Sequence, residues 1–139
     1  MCKGRAANRG FSLIEMVVVI AIVAILATVV VPTYQNSIRK ARRAEGKTFL
    51  HVLMMAEERH YAGFHRYTSD MGTKGLALPA VSQPAGHYAL SRVEVNAGDQ
   101  FVRIFVSPQG AQVADACGTL SLDSTGVFEA SGGSAEECG

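Results

Sequence analysis

Apolar and polar positions divide this chain into three regimes. From Leu13 to Val31 every residue is apolar except Glu15 and Thr28. At about 1.5 Å per residue such a helix spans roughly 28 Å, close to the ~30 Å core of a bilayer. Ser12 stands at the N-cap position with Glu15 three residues on, the spacing of a capping box. Pro32 follows the apolar run; it removes one backbone hydrogen bond and crowds the preceding turn, so a kink or local loosening is expected there. Beyond it Leu50, Leu53, Met54 and Tyr61 recur at helical spacing, and Phe49, Val52 and Ala56 line an adjacent face. The helix is therefore predicted to continue to about Tyr61.

The pattern then changes period. Residues 63–86 are rich in Gly, Ser, Thr and Pro and read as a connecting loop containing Pro79 and Pro84. His87 to Val95 alternates as a strand, Asn96-Ala97-Gly98-Asp99 is a turn, and Gln100 to Val106 is a second strand. In that strand Val102, Ile104 and Val106 share one face, and Phe101, Arg103 and Phe105 the other. Pro108-Gln109-Gly110 turns, Thr119 to Asp123 is a third strand, and Val127 to Ala130 a short fourth after Ser124-Thr125-Gly126. Short connections favour an antiparallel meander, and so small a sheet needs a covering element. The predicted class is α+β: a long N-terminal helix, its first half apolar enough to cross a membrane, packed on an antiparallel sheet of about four strands.

Charge changes this picture little. The 139 residues carry a net charge of +1, which argues against bulk nucleic-acid binding. Arg39, Lys40, Arg42 and Arg43 form a local basic run, read as a solvated helix face or a contact for lipid headgroups, with a DNA patch as the alternative. Because these residues rival Lys3, Arg5 and Arg9 ahead of the span, charge leaves the membrane topology open. Glu57, Glu58, His60 and His65 do not form a recognised ligand set and read as a polar helix end; His51 and His87 stand alone. The sequence offers no phosphate-binding glycine loop, no Cys-x-x-Cys pair and no nucleophile–base set. The expectation is a protein without catalytic residues, metal or cofactor.

Glu15 needs a separate explanation, because an ionised side chain within a bilayer costs at least ~2.5 kcal/mol. Gly10-Phe11-Ser12-Leu13-Ile14-Glu15, with Lys3, Arg5 and Arg9 before it and the apolar run after it, resembles the processing site of type IV prepilins. The resemblance implies a leader of residues 1–10, cut after Gly10 by a membrane aspartyl peptidase that also N-methylates Phe11. It implies a transmembrane and polymerisation segment at 11–32 and a pilin domain at 33–139. Glu15 would pair with an N-terminal amine during filament assembly, and Pro32 would mark a segment able to unwind. The family's glycine upstream of that proline is Ala24 here.

Loss of the leader would remove Cys2, which has no upstream apolar segment of the lipoprotein kind, and leave Cys117 and Cys138. An even pair suits an oxidising compartment, placing the C-terminal domain outside the cytoplasm. A bond between the two would tie down the small polar segment 131–137, worth roughly 3 kcal/mol in the chain-entropy account. Cys117-Gly118-Thr119-Leu120-Ser121-Leu122-Asp123, with Gly126 and Cys138, is similar to the tail of minor pilins of the PilE kind. The implied protein is a minor pilin of a type IV pilus serving assembly, twitching motility or adhesion. It would pass from the inner membrane to an extracellular filament. Its implied partners are other pilins, major and minor, the prepilin peptidase and N-methyltransferase, the inner-membrane assembly machinery, and lipid before assembly. Alternatives are a type II secretion pseudopilin, a DNA-uptake pilin using the Arg39–Arg43 run, and a single-span anchor for another binding domain.

Overall fold

A computed structural model describes residues 11–72 and 75–138. Its first element, α1 (Leu13–Phe64), is a single helix of 52 residues that runs through Pro32 without ending there. Beside the proline, the Thr33 hydroxyl donates to the Val29 carbonyl at 3.0 Å, and the Thr28 hydroxyl to that of Ile25 at 2.7 Å. The chain forms two units, one up to Ser37 and one from Ile38 onward. In the first, the apolar residues from Leu13 to Val31 are exposed on all sides, so no packing among the described residues explains them.

In the second unit the sequence of α1 dictates one buried stripe: Gly46, Phe49, Leu50, Leu53, Met54, Ala56 and Glu57. Val52, expected on the face beside Phe49 and Ala56, is instead 42% exposed. At about 100° per residue it falls roughly 60° beyond Phe49, past the edge of the stripe. The helix continues three residues beyond the expected end. It stops where His65 takes a positive φ of 53° and donates its N–H to the Tyr61 carbonyl.

The sheet has the order β1 (Tyr88–Val95), β2 (Val102–Pro108), β3 (Leu120–Asp123), β4 (Phe128–Ala130), all neighbours antiparallel. A register irregularity lies between Leu90 and Arg92. β2 begins at Val102 rather than Gln100. The Asn96 Oδ1 takes the Gln100 and Phe101 N–H groups at 2.8 and 3.1 Å, so those donors serve the turn instead of the ladder. Val102, Ile104, Val106, Leu120 and Leu122 are buried and join the cluster formed by the helix stripe. The loop before β1 contributes Tyr67 and Met71 to that core. A 3-10 turn at Gly110–Ala114 and a short α2 at Ala135–Cys138 complete the described residues.

Gly46 sets how closely the helix meets β1. A Cβ there would lie 2.7–2.8 Å from three carbons of the Tyr88 ring, and Tyr88 is fully buried. The ring has no free space to retreat into, so overpacking exceeds the gain in helix propensity. We expect Gly46→Ala to destabilise the second unit by about 1–3 kcal/mol, read by chemical denaturation. Stabilisation would show that Tyr88 can move.

Candidate functional site

The described part of the processing region begins at Phe11; Gly10 lies outside the described residues. Ser12 occupies the N-cap position, its carbonyl accepting the N–H groups of Glu15 at 3.1 Å and Met16 at 3.3 Å. Phe11 is 74% exposed, and Glu15 is exposed in the first turn, where the helix dipole favours a carboxylate. Among the described residues Glu15 has no ion-pair partner.

The basic run divides in two. Arg39, Lys40 and Arg42 have no ion pair among the described residues and are exposed or half-buried. Arg43 departs from the expected solvated face. Its Nη2 and Nε donate to the two oxygens of Asp115 at 2.7 and 3.0 Å, and its Nη1 donates to the Glu137 carbonyl at 3.3 Å. The Asp115 bond raises the guanidinium above its usual range despite burial. Asp115 also faces the Tyr88 hydroxyl, and the buried Gln112 donates to that hydroxyl and to the Arg39 carbonyl. A core-facing acid explains why one arginine of the run turns inward. Lys47, one turn on, is depressed by burial and then by Arg43 and Lys40, and lies 5.4 Å from the centre of the Phe128 ring.

The histidines and acids at the helix end fasten the following loop. Glu57 is fully buried, contrary to the polar-end expectation; one oxygen accepts the Thr68 N–H at 3.2 Å and the other has no partner among the described residues. Burial pushes this carboxyl up, against the Thr68 bond. Glu58 accepts the Tyr67 hydroxyl at 2.8 Å, and burial together with that bond pushes Tyr67 up to about 12. His60 Nδ1 is 2.9 Å from the Arg66 carbonyl. His87, given no role from sequence, donates its N–H to Glu45, which also accepts the Ser82 hydroxyl. Among the described residues no three His, Cys, Asp or Glu side chains gather as metal ligands.

On the outer face of the sheet Arg103 joins Asp123 at 2.9 Å and Glu129 at 3.0 Å. Burial works to raise the Asp123 carboxyl, but bonds from Thr125, Arg103 and Val127 hold it down to about 2, against an ordinary 3.8. A depressed acid stabilises fully above its unfolded value, and the contribution is lost as pH falls through the folded one. With the Asp123 side chain only 3% exposed, the difference corresponds to about 2 kcal/mol. We therefore expect acid titration from about pH 5 to pH 2 to cost the native chain about 2 kcal/mol more than Asp123→Asn. Parallel stability curves would contradict this.

Cys117 and Cys138 are disulfide-bonded, 21 residues apart with their Cα atoms at 5.8 Å. Residues 5–31 match the prokaryotic N-terminal methylation motif, and residues 32–121 match the family described as type IV minor pilin ComP, DNA uptake sequence receptor. The chain belongs to the type IV pilin family. This pilin is 34% identical over 96 residues to the type IV major pilin PilA of Myxococcus xanthus, covering 69% of this chain and 41% of that one. It is 34% identical over 91 residues to the major pilin PilE1 of Neisseria gonorrhoeae, covering 66% and 54%. With prepilin peptidase-dependent protein D of Escherichia coli it shares 37% over 79 residues, covering 55% and 53%. The pilin thus spans about half the length of the curated relatives it matches. A solved type IV pilin from Shewanella oneidensis aligns with a TM-score of 0.47 at 28% identity, over 65% of this chain and 89% of that one.

The contacts least visible in sequence were Arg43–Asp115 and the burial of Glu57. The only sequence signal for the first was an acid two residues before Cys117; for the second it was Glu57 lying one turn from Leu53 on the apolar stripe.

Proposed function

We propose that this pilin is a minor subunit of a type IV pilus, stored in the inner membrane as a prepilin with its N-terminus cytoplasmic and its second unit periplasmic. A membrane peptidase cuts after Gly10 and methylates Phe11, and the chain then enters an extracellular filament. The pilin is on this reading a substrate of enzymes rather than an enzyme. The observation that carries it is the wholly exposed apolar segment Leu13–Val31 with a single acid near its start. Lipid covers such a surface before assembly and neighbouring helices cover it afterwards, so its burial is exchanged rather than lost. Glu15 meets the amine freed at Phe11, on its own chain or a neighbour, which neutralises a costly charge. We expect Glu15→Ala to insert in the membrane normally and to be at least tenfold scarcer in sheared filaments, the loss of roughly one buried charge pair. Equal incorporation would contradict the pairing. The cysteine pair favours a pilus over a type II secretion apparatus.

A DNA-uptake role is favoured by one observation, the match of residues 32–121 to a family described as a DNA uptake sequence receptor. Arg39, Lys40 and Arg42 supply cations for it. Its test is DNA binding by the purified full chain in detergent. The salt slope should flatten by roughly 0.9 for each phosphate contact removed when these residues become alanine.

A further inference from the structure

The outer face of the sheet carries a groove of about 490 Å³, within the ~300–1,000 Å³ range of small-ligand sites. Its floor is a single cross-strand row with one residue from each strand: Arg92 opposite Phe105, Phe105 opposite Ser121, Ser121 opposite Glu129. Neither the filament reading nor the DNA reading uses this row.

Three features restrict what the groove can hold. The first is charge. Arg92 is 3.0 Å from Glu94, and Arg103 holds Asp123 and Glu129, so both cations on this face are already paired and carboxylates outnumber them. A polyanion would meet no free cation there and one carboxylate in excess. The second is an unused hydroxyl. Ser121 is 5% exposed and lines the groove, yet its Oγ makes no hydrogen bond among the described residues. The Thr119 hydroxyl beside it, on a half-buried residue, is also unbonded among the described residues, so both hydroxyls are free to donate to or accept from a ligand in the groove. The third is the flat ring of Phe105, half-buried in the middle of the polar row with the Arg92 guanidinium stacked 4.1 Å from its centre.

Apolar surface from Phe105 under its Arg92 stack, hydroxyls that both donate and accept, a guanidinium that donates, and the Glu129 oxygen not used by Arg103 complement one ligand chemistry. It has apolar C–H faces, many O–H groups and no charge. We propose that the Arg92–Phe105–Ser121–Glu129 row binds a neutral saccharide of one or two rings. The inference does not depend on processing after Gly10 or on DNA uptake.

The test is a nuclear magnetic resonance titration of the full chain in detergent micelles with maltose, lactose, cellobiose and diacetylchitobiose, and in parallel with a short DNA duplex. At least one sugar should give saturable shifts centred on Phe105, Ser121 and Glu129. Ser121→Ala and the surface change Glu129→Gln should each weaken its binding roughly tenfold, the worth of one hydrogen bond. Val113→Ala, at an exposed position outside the groove, should leave it unchanged. The folded spectrum of each variant separates lost binding from lost structure, and Glu129→Gln removes no buried group. No saturable shift with any of the four sugars overturns the proposal, as does sugar binding indifferent to both substitutions. DNA binding in the row that both substitutions abolish would assign the groove to nucleic acid instead.

Discussion

Arg43→Ala should destabilise the second unit by about 3 kcal/mol, lowering its melting temperature by more than about 10 °C. The side chains of Arg43 and Asp115 are 12% and 3% exposed. Removing the guanidinium leaves a carboxylate shut away from water with, among the described residues, only the Tyr88 hydroxyl, at 3.5 Å, to face it. That uncompensated charge, more than the lost attraction, sets the size of the effect. Arg43→Lys should recover only part of the loss, because a point charge does not reproduce two parallel bonds to one carboxylate. Asp115→Asn in the Arg43→Ala background should restore stability by removing the stranded charge. Thermal melts of the three variants check this; a loss below about 1 kcal/mol for Arg43→Ala would mean the pair behaves as a solvated one.

The second large effect belongs to the disulfide. Cys117→Ser with Cys138→Ser should cost about 3 kcal/mol, the chain-entropy worth of closing a loop of 21 residues. The two effects share parts. Asp115 lies two residues before Cys117, Glu137 one residue before Cys138, and Arg43 bonds to both. Combining the disulfide change with Arg43→Ala should therefore cost less than the sum of the two, since each already loosens what the other holds. Strict additivity in a double-mutant cycle would contradict this coupling.

Strand periodicity made the sheet legible: alternation placed Val102, Ile104 and Val106 on one face, the one the structure buries, and turn residues such as Asn96 and Gly126 bounded the strands within a residue or two. The helix was legible because its length and apolar spacing have no competing reading. The sequence hid contacts between residues far apart. The buried Asp115 decides which arginine of the basic run turns inward, and it lies 72 positions from Arg43, with no local pattern linking the two. Glu57 is buried because it falls within the helix stripe, where residue type alone argues for solvent. Loop residues Tyr67 and Met71 enter the core by tertiary packing that no local pattern specifies. The N-terminal methylation motif was the opposite case: its residue pattern is local, and residues 5–31 match that motif.

On the proposed function this chain becomes a filament subunit once its basic leader is removed. Intact-mass measurement on filaments sheared from cells tests it directly. The expected product is a chain starting at N-methylated Phe11 and lighter by two hydrogen atoms for the Cys117–Cys138 bond. A chain that retains Met1 in the membrane and is missing from the filaments would contradict it.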